Sequence, residues 1–364
     1  MSPTRLLPYQ KLISSPTAHV QLEYSLSSIL PKPGTHSDWT RFVLLSDTHS
    51  RMCDVPDGDV LLHTGDLTQH GTLRELKATM DWLRTLPHKI KIVIAGNHDL
   101  VVHREFYEAN WEDLYAHRDG AGPESAEEMR NLLKGPAARA AGIVYLENEE
   151  HRFRTREGGR EWRVYGSPWS PEFDNWAFGY DPDQGRDLVA QFPQTDILLT
   201  HGPPHNLLDL TNTKIRAGCS ALAARVAELQ PRLHVFGHIH EARGAYLHQW
   251  PPTGAGDEPR IPWVQHGIQL GVQVDDGEEK WMDSAKEEEE LTDGLEIDFG
   301  GSEDSDSKRE MVDKDLERGT APGQTTLFVN AANMPSGPNA RRIPGGRGKM
   351  GGMGFQPIIV DLSS

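Results

Sequence analysis

Cysteine is nearly absent from this chain, with Cys53 and Cys219 the only two in 364 residues. Two thiols cannot build the disulfide framework on which core-poor secreted domains depend, so a reducing compartment is expected. Long apolar runs are missing as well. No stretch approaches the ~18 residues needed to span a bilayer, and the opening MSPTRLLPYQKLISSP lacks the sustained apolar segment of a signal peptide. The expectation is a soluble, cytoplasmic protein with no membrane partner. Positive charge is scarce too: 37 Lys plus Arg face 54 Asp plus Glu, a formal net charge of −17. That balance repels a phosphate backbone and argues against a nucleic-acid polymer as partner. Most of the excess is local, because residues 275–318 hold 19 acidic and 6 basic residues, a net of −13. The rest of the chain is nearly balanced.

The length allows two or three domains, or one large domain with additions. Residues 1–38 are rich in Ser and Pro and end in the turn-like PKPGTHS; they read as an arm packed on the surface. From 39 to 250, short apolar runs alternate with helical patterns, as in an α/β fold. Five runs have strand length, at 42–45, 60–62, 90–95, 197–199 and 233–236. Their continuous apolarity suits strands covered on both faces. Thr72 and Glu75 have capping-box spacing ahead of Leu73, Leu76, Met80 and Leu83, and Pro87 stops that helix. Further helices are expected from Ser125 through Leu133 and over 220–229. Residues 162–165 read as a strand, followed by the aromatic loop GSPWSPEFDNWAFGY, whose rings are expected mainly to pack.

From 251 to 324 the pattern breaks down into Pro, Gly and then acidic sequence, a composition that predicts disorder. Strand-like sequence returns over 325–364 as TTLFVNAAN and PIIVDL, separated by the Gly-rich IPGGRGKMGGMG. The acidic segment is therefore an insertion inside the fold. Its plain reading is a solvated loop; its alternative is a recruitment segment for an unidentified protein partner, using SEDSDS.

The chemistry lies in the residues directly after each of the five runs. These endings are Asp47-Thr48-His49, Gly65-Asp66, Gly96-Asn97-His98-Asp99, His201-Gly202 and Gly237-His238-Ile239-His240. Carboxyl ends of strands are where open α/β sheets place their sites. Asp47 with His49, and His238 with His240, have a spacing of two, which in an extended segment turns both side chains to one side. Carboxylate, imidazole and amide without thiolate suit manganese, iron or zinc. Seven such groups suffice for two divalent ions if one carboxylate bridges, and an ion pair of that kind can activate a shared hydroxide for in-line attack at phosphorus. A lone strand-end Asp or His is usually a cap or a surface group. Accordingly His63, His70, His88, His103, His117, His151, His234, His248 and His266 are read as bystanders, and Cys219 as a packing residue. Five successive strand ends with metal-competent side chains form a pattern that chance does not readily assemble.

The series SDTHSR, LLHTGDLTQHG, KIVIAGNHD, YGSPWSP, LTHGPPH and HVFGHIHE, closed by FVNAAN and PIIVDL, resembles the calcineurin-like metallophosphoesterase superfamily, in particular its small metallophosphoesterase-domain members in animals and fungi. The resemblance covers about 40–250 and 325–362. It implies a four-layer αββα sandwich, two mixed sheets flanked by helices, and a dinuclear metal centre. One metal would be held by Asp47, His49 and His240, the other by Asn97, His201 and His238, with Asp66 bridging. His98 matches the family's proton donor to the leaving oxygen; its alternative is a histidine that only contacts phosphate. Arg51 stands as a phosphate clamp or a plain surface arginine. Gly202 and His205 are expected to line the entrance, and Asn97 with His98 to touch substrate.

Departures from the family narrow the reading. Protein phosphatases of the superfamily carry GDxVDRG, with an arginine for phosphate and an aspartate that orients the histidine; this chain has GDLTQHG. A phosphoprotein substrate is accordingly disfavoured, and nothing in the sequence names what orients His98. Some animal members have glycine at the first histidine of GHxH. His238 is present here, so a competent enzyme is expected. The leading expectation is a metal-dependent phosphodiesterase acting on a small nucleotide-like phosphoester. A phosphomonoesterase or protein phosphatase on the same centre, or a non-catalytic nucleotide-binding or scaffold protein, is the alternative.

Overall fold

The computed structural model describes residues 12–34, 39–115, 123–250, 268–270, 324–335, 350–352 and 354–364. The expectation of disorder over 251–324 lies almost wholly outside these residues. In chain order the strands of the first half are β1 (Leu12–Ser14), β2 (Ala18–Gln21), β3 (Trp39–Leu45), β4 (Val60–Thr64), β5 (Ile90–Ile94), β6 (Ile143–Tyr145), β7 (Glu149–Phe153) and β8 (Trp162–Ser167). They are followed by β9 (Ser170–Pro171), β10 (Gly179–Tyr180), β11 (Ile197–Thr200), β12 (Leu233–Phe236), β13 (Gly244–Gln249), β14 (Ile268–Leu270), β15 (Thr325–Asn330) and β16 (Ile358–Ser363). The α-helices are α1 (Leu73–Thr85), α2 (Arg104–Tyr115), α3 (Ala126–Lys134), α4 (Pro136–Ala140), α5 (Pro182–Ala190) and α6 (Ser220–Leu229).

Two seven-stranded sheets result, in the orders β1-β2-β16-β3-β4-β5-β6 and β14-β13-β15-β12-β11-β8-β7. Side chains alternate across each sheet. Phe42, Leu44, Val60, Leu62, Ile92 and Ile94 of the first sheet share one core with Val164, Ile197, Leu199, Leu233, Val235, Leu327 and Val329 of the second. The intervening positions Leu45, Leu61 and Val93 pack with Leu76, Met80 and Leu83 of α1 and Leu132 and Leu133 of α3. On the other side, Leu198, Phe236 and Phe328 meet Val189 of α5 and Leu222 and Val226 of α6. The order of layers is therefore helix, sheet, sheet, helix, the αββα arrangement expected from the sequence. With both faces covered, strand after strand is fully buried, each apolar side chain contributing roughly 1.5–3 kcal/mol of transfer free energy.

Local signals behave as their chemistry requires. Thr72 accepts from the Glu75 amide and Glu75 reaches back to the Thr72 amide, closing the capping box of α1. Ser125 caps α3 through the Glu128 amide. A second capping box, Asp181 with Gln184, opens α5, which the sequence pattern had hidden because only Gly185 and Val189 of that helix are buried.

The segment read as a surface arm differs from expectation. Its β1 and β2 extend the first sheet beside β16, and Ile13, Ala18, Val20 and Leu22 enter the intersheet core. The alternation at Ala18, Val20, Leu22 and Tyr24 was present in the sequence, but it is short and flanked by Ser and Pro. From the far end of the chain, β15 lies between β12 and β13, and β16 between β2 and β3. Among the described residues no helix is long and apolar enough to cross a membrane.

Candidate metal centre

Strands β3, β4 and β5 run parallel to one another, as do β11 and β12, so their carboxyl ends face one edge of each sheet. The chain turns sharply there. Asp47, His49, Asp66 and His238 all have left-handed backbones, with φ of 54°, 46°, 54° and 66°. Non-glycine residues adopt this region at a cost, and such strain concentrates at functional sites. Glycine is required at two neighbouring points of close approach. A Cβ on Gly237 would lie 2.1 Å from Asp47 Oδ2, and one on Gly96 would lie 2.4 Å from Asp66 Oδ1.

Ligand-type atoms of Asp47, His49, Asp66 and His240 all fall within 4.8 Å of one another. His240 Nε2 is 3.1 Å from Asp47 Oδ1 and 3.3 Å from His49 Nε2. A second group adjoins it: Asn97 Oδ1 is 2.8 Å from both His201 Nε2 and His238 Nδ1. Asp66 touches both groups, with Oδ2 3.6 Å from His49 Nε2 and Oδ1 3.4 Å from His201 Nε2. The seven residues singled out in the sequence thus meet at one place.

These residues fit divalent ions. The donors are two carboxylates, four imidazoles and an amide oxygen, with no thiolate, as manganese, iron and zinc accept. His201 Nδ1 faces the Thr64 carbonyl at 2.8 Å; a carbonyl only accepts, so Nδ1 carries a hydrogen and Nε2 is the nitrogen turned towards Asn97 and Asp66. His49 Nδ1 is buried with no hydrogen-bond partner among the described residues.

Burial sets the charges. It pushes His49 down to about 4 against the opposing pull of Asp66, and His238 down to about 3 with help from His201. Both rings are therefore neutral near pH 7, the form that binds metal. Burial alone would raise Asp47 and Asp66, but surrounding imidazoles outweigh it, chiefly His240 for Asp47 and His201 for Asp66, and hold both carboxyls below their usual range. Burial would lower His240, and the Asp47 carboxylate reverses the direction.

Supporting groups fix the loops. Asp99 is fully buried and accepts from the amides of Gly96 (2.8 Å), Leu67 (3.1 Å) and Thr68 (2.9 Å) and from the Thr68 hydroxyl (2.7 Å). It staples the loop of Asp66 to the loop of Asn97. Burial, reinforced by the nearby Asp66 charge, pushes its carboxyl up to about 6. Two residues read as bystanders also touch the ligand segments: His63 Nε2 meets the Thr48 hydroxyl at 3.0 Å, and His234 Nε2 meets the Thr200 hydroxyl at 2.9 Å. The closing segment reaches in as well. Asn333 Oδ1 accepts from the Ser46 amide and Asn330 Nδ2 donates to the Ile239 carbonyl. Arg243 donates to the carbonyls of Ala332, Gly354 and Gln356.

His98 lies against this cluster, its ring edge-to-face with His49 at 4.6 Å. Its amide donates to Asp66 Oδ1 and its Nδ1 faces the Gln69 carbonyl at 2.9 Å. Trp176, from the aromatic loop, stacks on it at 4.2 Å. Arg51 is exposed beside the Asp47–His49 segment. Gly202 is buried against Ser170, and His205 sits half-buried, 3.6 Å from Asp209. Asp99, Trp176 and the Gln69 carbonyl escaped sequence reasoning. Asp99 had a signal in the GNHD motif, whereas the other two depend on chain paths that spacing does not reveal.

Two stacked sheets that bring carboxylates and imidazoles together at paired strand ends define a metallophosphoesterase. The profile of that class, described as calcineurin-like phosphoesterase, matches residues 35–242, and the chain belongs to that family. Over 237 residues it is 40% identical to metallophosphoesterase domain-containing protein 1 of Homo sapiens and of Mus musculus, covering 62% of this chain and 67% of each relative. A protein of Emericella nidulans named "Probable rhamnogalacturonate lyase C" is 34% identical over 246 residues, 66% of this chain and 21% of that protein. Among solved structures, TT1561 of Thermus thermophilus aligns with a TM-score of 0.34 and 14% identity, covering 54% of this chain and 81% of that chain.

Proposed function

We propose that the protein is a phosphodiesterase that hydrolyses a small, nucleotide-like phosphodiester at a dinuclear metal centre. The observation that carries this reading is the placement of Asp66, which offers one oxygen to each of two ligand groups. When bound, two divalent ions would supply positive charge for the phosphoryl oxygens and acidify a water as nucleophile. The chain's own residues hold, orient and donate. Asn97, His201 and His238 hold one side and Asp47, His49 and His240 the other. His98 donates a proton to the departing ester oxygen. Backbone amides and side chains near Gly202 and His205 guide the rest of the substrate.

The preference for a diester follows from charge. The segment after Asp66 has no arginine, and Arg51 is exposed, so side-chain charge for a monoester dianion is sparse. A diester carries one negative charge on its phosphoryl group. A cytoplasmic location is part of the proposal; recruitment of a protein partner by the acidic insertion stays the alternative to an insertion with no partner.

The test is hydrolysis of bis-4-nitrophenyl phosphate with manganese, compared with 4-nitrophenyl phosphate. The diester should be the better substrate by kcat/KM. A reversed preference would support the monoesterase or protein phosphatase reading. Two bound metals by elemental analysis with no turnover of either ester would support a nucleotide-binding protein.

A further inference from the structure

The sequence left the orientation of His98 without an owner, since the aspartate that serves this purpose in protein phosphatases is missing. We propose that Trp176 and the main-chain carbonyl of Gln69 are its positioning groups, holding the imidazole so that Nε2 meets the departing oxygen; this rests on the phosphoester-hydrolase reading above.

Three sides of the ring are occupied. The indole of Trp176 covers one face, with centroids 4.2 Å apart and planes 27° from parallel. The edge-to-face contact with His49 at 4.6 Å closes another side. Gln69 O stands 2.9 Å from Nδ1. Because a carbonyl can only accept, Nδ1 carries a hydrogen in either charge state of the ring, and Nε2 is left to exchange the proton. Nε2 makes no hydrogen bond among the described residues.

The loop that delivers Trp176 is built for the purpose. Asp174, Asn175 and Phe178 have φ of 49°, 51° and 55°. A left-handed phenylalanine is a rare and costly conformation, retained where the surroundings over-determine it. Those surroundings include His103, five residues after His98. Its Nδ1 accepts from the Phe178 amide at 3.2 Å, its ring stacks on Phe178 at 4.5 Å, and Trp169 meets it edge-on at 5.1 Å. The Ser170 amide donates to the Phe178 carbonyl and the Glu172 amide to the Tyr180 carbonyl, pairing β9 with β10 and closing the loop. Trp176 sits in this strapped loop between two parallel strands, on His98.

In the proposed step, water oxygen bonds to phosphorus, the bond from phosphorus to the leaving oxygen breaks, and the Nε2 proton passes to that oxygen. The ring is left neutral with its remaining proton on Nδ1, held by Gln69. Solvent takes up the water's proton and restores that of Nε2.

Proton donation matters most when the leaving group is a poor one. In Trp176→Ala, kcat for an ester with a phenolate leaving group should fall about tenfold or more, part of the ~10²–10⁴-fold worth of a positioned acid. For 4-nitrophenolate the fall should be under threefold, with KM little changed. Trp176→Phe should restore most of the loss. In the His98→Gln background, Trp176→Ala should add less than twofold, because the group it positions is gone. A readout independent of turnover is the NMR of the His98 ring, assigned by its disappearance in His98→Gln. Wild-type ring protons should be displaced upfield by the stacked indole, and Trp176→Ala should remove that displacement. Equal losses for both leaving groups, full additivity with His98→Gln, or unchanged His98 signals in Trp176→Ala would overturn the proposal. If the wild-type protein hydrolyses neither ester, the phosphoesterase reading fails, while the NMR still decides whether Trp176 holds the ring.

Discussion

The first sheet brings to the centre both carboxylates, Asp47 and Asp66, together with His49 and Asn97, whereas the second brings three imidazoles, His201, His238 and His240. The two halves share one device. A threonine beside a ligand, Thr48 in one and Thr200 in the other, meets a buried histidine on the neighbouring parallel strand. They differ in how that device is loaded. In the first half Asp47, His49 and Asp66 are left-handed, and the buried Asp99 staples two ligand loops together; in the second His238 alone of the ligands is left-handed. Charge and strain are thus concentrated on one sheet, and that sheet carries the extra clamp.

The sharpest break of this comparison is at the residue the two halves share. Asp66→Asn should lower ester hydrolysis by about 10²–10³-fold, the scale on which a group that stabilises developing charge acts, and should reduce bound metal by elemental analysis. Full activity in that variant would undo the proposed centre. Next comes the clamp. Asp99→Leu removes the acceptor of three buried amides and a hydroxyl, so urea denaturation should show a loss of about 3 kcal/mol or more. A loss below about 1 kcal/mol would mean that the first half needs no such staple.

Acid distinguishes the halves through their buried histidines. Burial lowers His234 to about 3 and His63 to about 4, both below the ordinary value of 6.5. Each is neutral in the fold, so its stabilising contribution is present above pH 6.5 and is lost as pH falls towards the folded value. Between pH 7 and 5 the metal-free protein should lose about 2 kcal/mol through His234 alone, and His234→Gln should remove that part of the loss. His63→Gln should remove nearly as much over this window, and less only below about pH 4, where the folded value held up by Asp47 and Asp66 ends its contribution. The smallest effect belongs to the hydroxyls. Thr48→Val and Thr200→Val should each cost about 1–2 kcal/mol by chemical denaturation, the penalty for leaving a buried ring nitrogen unmatched.

The sequence announced a good deal of this. Apolar runs at 42–45, 60–62 and 233–236 became central strands because both faces of each sheet are covered, and the metal-competent residues directly after them converge because parallel strands share an edge. Illegible was whatever depends on chain path rather than spacing. The contact of Trp176 with His98 requires three left-handed residues in a loop that no periodicity encodes. His63 and His234 looked like bystanders because their partners lie across a strand boundary, Thr48 just beyond the end of β3 and Thr200 at the end of β11. The strands β1 and β2 were concealed by the Ser and Pro around them.

One feature of the topology bears on how the molecule comes into being. Strand β15 completes the middle of the second sheet and β16 that of the first, and Asn330, Asn333 and Arg243 tie the closing segment to the loops of Asp47 and His238. During synthesis the chain emerges from its N-terminal side, so every ligand leaves the ribosome before either of these strands. Until they arrive, each sheet lacks a central member and the Ser46 amide lacks its acceptor. A nascent chain stalled before residue 325 would carry all seven ligands at the ends of strands that pair with one another, but without β16 beside β3 and β15 beside β12 to complete the sheets that hold them.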